Sequence, residues 1–198
     1  MKKSVLPGYS GVKFKTIQSS EILPEGSENH IDVFKENGKK LLKYNMAPGN
    51  GGNISVRHKD GFLITASGSN LGCLEDDEII YVEEYSINEK TVKFRGKLSP
   101  SSETFLHGLL YQEKPNIISV VHAHDEVATS MDLTNIIHET DNEEAYGSVE
   151  LAHCCIDTFR KGDDLIVLKN HGYVSIGSSM DSATERIIAM HKQLLARK

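Results

Sequence analysis

Hydrophobic positions change period several times along the chain, and each change predicts an element. Ile31, Phe34, Gly38, Leu41 and Leu42 fall at helical spacing, with Ser27 or Asn29 as the cap and Pro48-Gly49 as the stop. Asn53 to Arg57 alternates apolar and polar residues, Asp60-Gly61 signals a turn, and Phe62 to Thr65 follows, which predicts a β-hairpin. Glu78 to Tyr85 and Thr91 to Arg95 predict two more strands around Asn88. Ser102 to Gln112 returns to helical period, with Phe105, Leu106, Leu109 and Leu110 facing inward. Asn116 to His124 reads as a strand, with a short helix after it through Ala128. Ser148 to Phe159 predicts a helix, Asp164 to Lys169 a buried strand, Tyr173 to Ile176 another strand, and Asp181 to Leu195 a last helix.

Residues 1–26 are rich in Gly, Pro and Ser and carry no helical period. They predict a mostly extended arm suited to lying on a neighbouring subunit. Residues 27–198 then form one layered α/β domain, antiparallel hairpins with helices on both sides, and no internal repeat divides them. Hydrophobic residues make up 38% of the 198-residue chain and charged residues 25%, a balance that can bury a core and excludes a disordered chain. A net charge of -6 disfavours binding along a nucleic-acid backbone but leaves room for a site holding one phosphate group. No apolar run approaches the roughly 20 residues that span a bilayer, and the first residues hold no apolar stretch of a secretory signal. Cys73, Cys154 and Cys155 are odd in number and two are adjacent, a poor disulfide framework. They read as small buried hydrophobes in a cytoplasmic protein.

Candidate chemistry lies at the strand ends. His122-Ala123-His124 closes a predicted strand, where residues i and i+2 share a face, so two imidazoles project together. Asn170-His171-Gly172 follows the buried strand Leu165 to Lys169, and the glycine lets the backbone turn sharply so that His171 points back toward a cleft. Three neutral imidazoles with one open position would suit a catalytic zinc ion rather than a structural one, although spacing alone does not bring His171 to the other two. Three donor-rich turns accompany them. Pro48-Gly49-Asn50-Gly51-Gly52-Asn53 matches neither the dinucleotide fingerprint nor the P-loop, but it offers backbone N–H groups and an amide to an anion. Thr65-Ala66-Ser67-Gly68-Ser69 ends a strand, and Pro100-Ser101-Ser102-Glu103 opens a helix, where free N–H groups suit a phosphate. Ser102 also reads as a plain helix cap, and Glu103 as a first-turn acid.

Taken in order, Gly51-Gly52-Asn53-Ile54-Ser55-Val56-Arg57, Ile64-Thr65-Ala66-Ser67-Gly68, Ser101-Ser102-Glu103 with His107, Val120-Val121-His122-Ala123-His124, and Asn170-His171-Gly172 resemble the class II aldolase/adducin family, with fuculose-phosphate aldolases as the nearest pattern. The resemblance covers roughly residues 30–195. It implies a three-layer α/β/α sandwich around a mainly antiparallel sheet, and a cytoplasmic homotetramer with sites between subunits. It implies that His122, His124 and His171 hold one Zn2+ per chain and that Asn53, Ser67, Gly68, Ser101 and Ser102 cradle a substrate phosphate. Glu103 takes the place of the catalytic acid/base.

The activity implied is that of a lyase: zinc-dependent cleavage of a ketose 1-phosphate to dihydroxyacetone phosphate and an aldehyde, through a metal-stabilised enediolate. A sugar-phosphate dehydratase, a 4-epimerase, and a non-catalytic metal-binding interaction module are the alternatives within the family. The epimerase pattern has Asp at the place of Glu103, which favours aldolase or dehydratase. The partner expected is a small sugar phosphate, with neither nucleic acid nor membrane. Two stretches depart from the fuculose-phosphate aldolase pattern. The segment from His124 to Tyr146, where a catalytic tyrosine is expected, is shorter, and 27 residues follow His171, fewer than the tail that closes a neighbour's site. Tyr146 or Tyr111 is the candidate replacement for that tyrosine.

Overall fold

The computed structural model describes residues 14–197. Its strands are β1 (Lys15–Ser20), β2 (Asn53–His58), β3 (Gly61–Thr65), β4 (Ile79–Ser86), β5 (Thr91–Arg95), β6 (Ser119–Ala123), β7 (Leu165–Leu168) and β8 (Gly172–Gly177). They form one sheet in the order β1-β5-β4-β3-β2-β6-β8-β7. Every pairing is antiparallel except that of β1 with β5. The helices are α1 (Glu28–Lys43), α2 (Thr104–Glu113), α3 (Glu126–Thr129), α4 (Val149–Phe159) and α5 (Met180–Leu195). The fold is thus α/β with a mixed, mostly antiparallel sheet.

Alternating strand residues enter two separate cores. Ile166 and Leu168 join Phe105 and Leu110 of α2 and Leu151 and Phe159 of α4. Leu165 and Val167 join Phe34 and Leu41 of α1 and Ile187 and Ile188 of α5. Because both faces of β7 are covered, its sequence is a continuous apolar run rather than an alternating one. On β2, Ile54 and Val56 take the α1/α5 side. Asn53 and Ser55 therefore point to the α2 side, where the site is built.

Several boundaries differ from the sequence reading for identifiable reasons. Helix α1 stops at Lys43, well before Pro48. Asn45 adopts a left-handed φ of 57°, its N–H bonds Leu42 O at 2.8 Å, and the Met46 N–H bonds Leu41 O at 3.0 Å. That is a Schellman ending, with Leu41 and Met46 both buried in one core. Ser27 precedes α1, but its side chain makes no capping bond. The hairpin turn is Lys59-Asp60, because His58 pairs with Gly61 and Lys59 takes the positive φ of 50°. β6 starts at Ser119 rather than Asn116.

Residues 1–13 of the expected arm lie outside the described residues. Lys15–Ser20 is extended, and it adds to this chain's own sheet beside β5. Its one large apolar side chain, Ile17, is exposed, so backbone bonding places the strand and no burial pattern announces it. Among the cysteines only Cys155 is a buried apolar group. Cys73 is exposed on a turn whose Leu71 takes the inward position, contrary to its reading as a buried side chain.

Candidate active site

The site forms where β2, β6 and β8 meet the start of α2. His122 is the last but one residue of β6 and is paired with Asn53 of β2. His124 lies just past the strand, held by a bond from its N–H to Met46 O at 2.9 Å. His171 sits in the β7–β8 turn, after Asn170 in a left-handed φ of 55°. The sharp turn thus belongs to Asn170. Gly172 is required for space instead, because a Cβ there would lie 2.3 Å from Ala123 O. The three rings come within 4.7 to 4.9 Å of one another, centroid to centroid. One nitrogen from each lies within 4.8 Å of the others, a set that could hold a metal ion.

The electrostatics of the cluster fit a cation. His122 Nδ1 donates to Tyr173 O at 2.8 Å, so Nε2 is the lone-pair nitrogen of the neutral ring. That Nε2 faces His124 Nε2 at 3.1 Å. Burial holds His122 down to about 3, and burial followed by the nearby His171 holds His124 down to about 4, so both rings are neutral and ready to ligate at neutral pH. Gly51 clears the way for His124, since a Cβ there would stand 2.9 Å from its Nδ1.

Glu103 completes the cluster. It occupies the cap position of α2 but makes no capping bond through its side chain, which excludes the reading of it as a first-turn helix acid. Ser102 comes before that position, and Ser101 Oγ takes the Glu103 N–H at 3.3 Å. Glu103 is 3% exposed. Burial pushes its pKa up, but the imidazoles of His122 and His171 and the Asn53 amide outweigh that and set it at about 2. Oε2 takes an N–H from Asn53 Nδ2 at 2.7 Å and lies 3.4 Å from His122 Nε2. Oε1 is buried with no hydrogen-bond partner, 3.9 Å from His171 Nε2. A bare anionic oxygen beside three imidazoles is the arrangement that a divalent cation satisfies.

A cleft of about 260 Å³ opens over this cluster. Asn53, Ser67, Gly68, Ser101 and Ser102, the residues expected to cradle a phosphate, all line it, with Glu103, His124 and His171. The two serine turns are tied together: the Ser67 N–H bonds Ser99 O at 2.9 Å and the Ser101 N–H bonds Thr65 O at 3.1 Å. Gly68 has a φ of +77° with open space where a Cβ would stand, so its conformation is what requires glycine. Asn53 donates one amide N–H to Glu103 and accepts one from His107 at Oδ1, which leaves its second N–H to meet a ligand. Of the two tyrosines, Tyr146 lines the cleft, with its ring 6.4 Å from that of His171. Tyr111 is buried behind the site and does not line it. His107 and Ser55 stand in the sequence only as members of the family-like motifs. Both are buried and joined to the site through Asn53. In the sequence His107 is marked by that motif and by its place one helical turn after Glu103.

A comparison with protein families matches residues 35–195 to the class II aldolase and adducin N-terminal domain. The chain belongs to this family. An L-fuculose phosphate aldolase of Methanocaldococcus jannaschii is 31% identical over 170 residues, 78% of this chain and 88% of that protein. One of Haemophilus influenzae is 29% identical over 174 residues, covering 80% and 76%. Among solved structures, an L-fuculose 1-phosphate aldolase superposes with a TM-score of 0.70 at 24% identity over 86% of this chain and 87% of its own. A sugar-phosphate aldolase from Thermotoga maritima gives 0.71 at 20% identity, over 85% and 93%. These structural matches show the fold. No helix among the described residues is long and apolar enough to cross a membrane.

Proposed function

We propose that the protein is a zinc-dependent lyase that cleaves a ketose 1-phosphate to dihydroxyacetone phosphate and an aldehyde. The observation that carries this reading is the bare Oε1 of Glu103 beside His122, His124 and His171, in a cleft lined by two tethered serine turns. The names of the relatives support an aldolase over a dehydratase, a 4-epimerase or a non-catalytic module. Three imidazoles with an open position favour Zn2+, one per chain. The ion, when bound, supplies Lewis acidity toward the oxygens of the substrate's carbonyl and neighbouring hydroxyl.

The chain's own groups do the rest. Ser67, Gly68, Ser101 and Ser102, with the remaining N–H of Asn53, hold the phosphate and so fix C3 of the substrate over Glu103. When the C3–C4 bond breaks, its electron pair stays on C3 and the hydroxyl on C4 becomes the aldehyde as its proton leaves. Tyr146, which lines the cleft, relays that proton, passing its own phenolic proton to water as it accepts. In the synthetic direction the Glu103 carboxylate removes the C3 proton, and in cleavage, having taken up a proton from solvent, it returns one to C3. The two helix pairs on opposite sheet faces support the three-layer sandwich. The division into an arm over residues 1–26 and a catalytic domain over 27–198, a cytoplasmic homotetramer, and the lack of nucleic-acid or membrane partners belong to the same reading.

The test is a panel of ketose phosphates offered to the zinc-loaded protein, with products identified by mass spectrometry. Dihydroxyacetone phosphate plus an aldehyde is the expected result. Loss of water, inversion at C4, or no turnover on any member would each overturn the aldolase reading.

A further inference from the structure

Behind Glu103 runs a closed series of buried hydrogen bonds that the cleavage chemistry does not itself use. Asn53 Oδ1 lies 2.6 Å from His107 Nε2, His107 Nδ1 lies 2.6 Å from Ser55 Oγ, and Ser55 Oγ lies 2.7 Å from Tyr111 Oη. Ser55 and His107 are fully buried, and Tyr111 nearly so. The direction of each bond follows from one end. An ionised carboxylate only accepts, so Asn53 must turn its Nδ2 to Glu103 and its Oδ1 to His107. His107 Nε2 must then carry the proton. Burial keeps the ring neutral, down to about 3, so Nδ1 is an acceptor and takes the proton of Ser55 Oγ. With its own proton given to His107, Ser55 Oγ accepts from Tyr111 Oη at 2.7 Å, which also lies 3.4 Å from Ile118 O. Each donor points toward the carboxylate.

An amide such as Asn53 can rotate by half a turn and present either end at almost the same cost. The wrong end would set an oxygen against the Glu103 carboxylate. The carboxylate disfavours that end, and the proton on His107 Nε2 adds a second constraint that stays when the carboxyl is protonated. We propose that His107, with Nε2 carrying the proton and Nδ1 accepting from Ser55, is the positioning residue that orients Asn53, pins Oε2 of Glu103 and leaves Oε1 free to exchange a proton with the substrate. This rests on the reading of Glu103 as the acid/base at C3.

The role predicts a split between rate and binding. Replacing His107 by Leu removes the fixed donor while leaving the zinc ligands and the serine turns in place. Turnover should fall by roughly 10–100-fold, the scale seen when a partner that orients a functional group is lost. The Michaelis constant and the zinc content should change by less than about threefold. His107→Gln restores an N–H toward Asn53 and should recover most of the rate, whereas a purely space-filling role would favour Leu. Ser55→Ala, a near-isosteric change, should lower the rate by a smaller factor and serves if His107→Leu does not fold.

A second readout does not depend on activity. Nitrogen-15 NMR of histidine-labelled protein should show His107 as a neutral ring protonated on Nε2, and Ser55→Ala should admit the Nδ1–H tautomer. Absence of C3 proton exchange in the zinc-loaded parent would overturn the aldolase reading. Parental turnover in folded, zinc-loaded His107→Leu, or an Nδ1–H tautomer in the parent, would overturn the positioning role alone.

Discussion

Replacing Gly172 by Ala tests whether the seam between β6 and β8 sets the metal geometry. Ala123 is paired with Tyr173 across that seam, His124 follows the first strand and His171 precedes the second. A Cβ on residue 172 would lie 2.3 Å from Ala123 O and 3.0 Å from His124 Cα. Both obstacles are backbone, so relief requires the strands to part by roughly 1 Å, several times the tolerance of about 0.2 Å on a metal–ligand distance. The opening would carry His171 away from His122 and His124. Overpacking of this kind costs about 1–3 kcal/mol of stability, and zinc affinity should fall by at least roughly tenfold. Competition with a chromogenic chelator gives the affinity, and denaturant unfolding gives the stability. Gly162→Ala is the control. Its φ is +111° with nothing within 4 Å of the added atom, so it should lose about 1–2 kcal/mol to backbone strain and keep its zinc. A Gly172→Ala protein that binds zinc at the parent affinity and unfolds at the parent midpoint would refute the reasoning.

Ser102→Ala should raise the Michaelis constant for a phosphorylated substrate more than for its unphosphorylated analogue, and an equal effect on both would remove Ser102 from the phosphate cradle. Acid should destabilise the metal-free protein. His107 and His122, both held near 3 by burial, bind fewer protons than their unfolded forms between about pH 6.5 and 3, so stability falls as pH drops through that window, by up to about 1.4 kcal/mol per pH unit for each ring. Denaturant titrations at pH 7, 6 and 5 that superimpose would contradict neutral burial of these rings. Light scattering at micromolar concentration should give about four times 21.9 kDa, and a monomer mass would rule out the tetramer.

Much of this architecture was legible because burial and chemistry leave different marks on a sequence. The run Leu165 to Leu168 could be read as a strand because both of its faces are covered. The i, i+2 spacing of His122 and His124 at one strand end already placed two imidazoles together. The convergence of His171 with them could not be read from spacing. It depends on β8 pairing with β6 across a glycine that has no Cβ to hold the strands apart. Edge strand β1 was hidden because Ile17 faces solvent and hydrogen bonds from the backbone and from Gln18 and Ser19, not apolar burial, hold the strand. The end of α1 was misplaced because Asn45, not the later Pro48, takes the left-handed conformation that turns the chain. His107, Ser55 and Tyr111 look like ordinary helix and strand residues, and only the crossing of α2 over β2 joins them into one buried series.

Exchange of the C3 proton of dihydroxyacetone phosphate with solvent tests the central claim most directly, because it needs the zinc ion and Glu103 but no aldehyde. Followed by NMR in deuterium oxide, the zinc-loaded parent should exchange that proton stereospecifically. Glu103→Gln keeps the shape and removes the charge, so it should retain zinc and lose roughly 10²–10⁴-fold in the exchange rate. A Glu103→Gln protein that holds its zinc and exchanges at the parent rate would contradict the account.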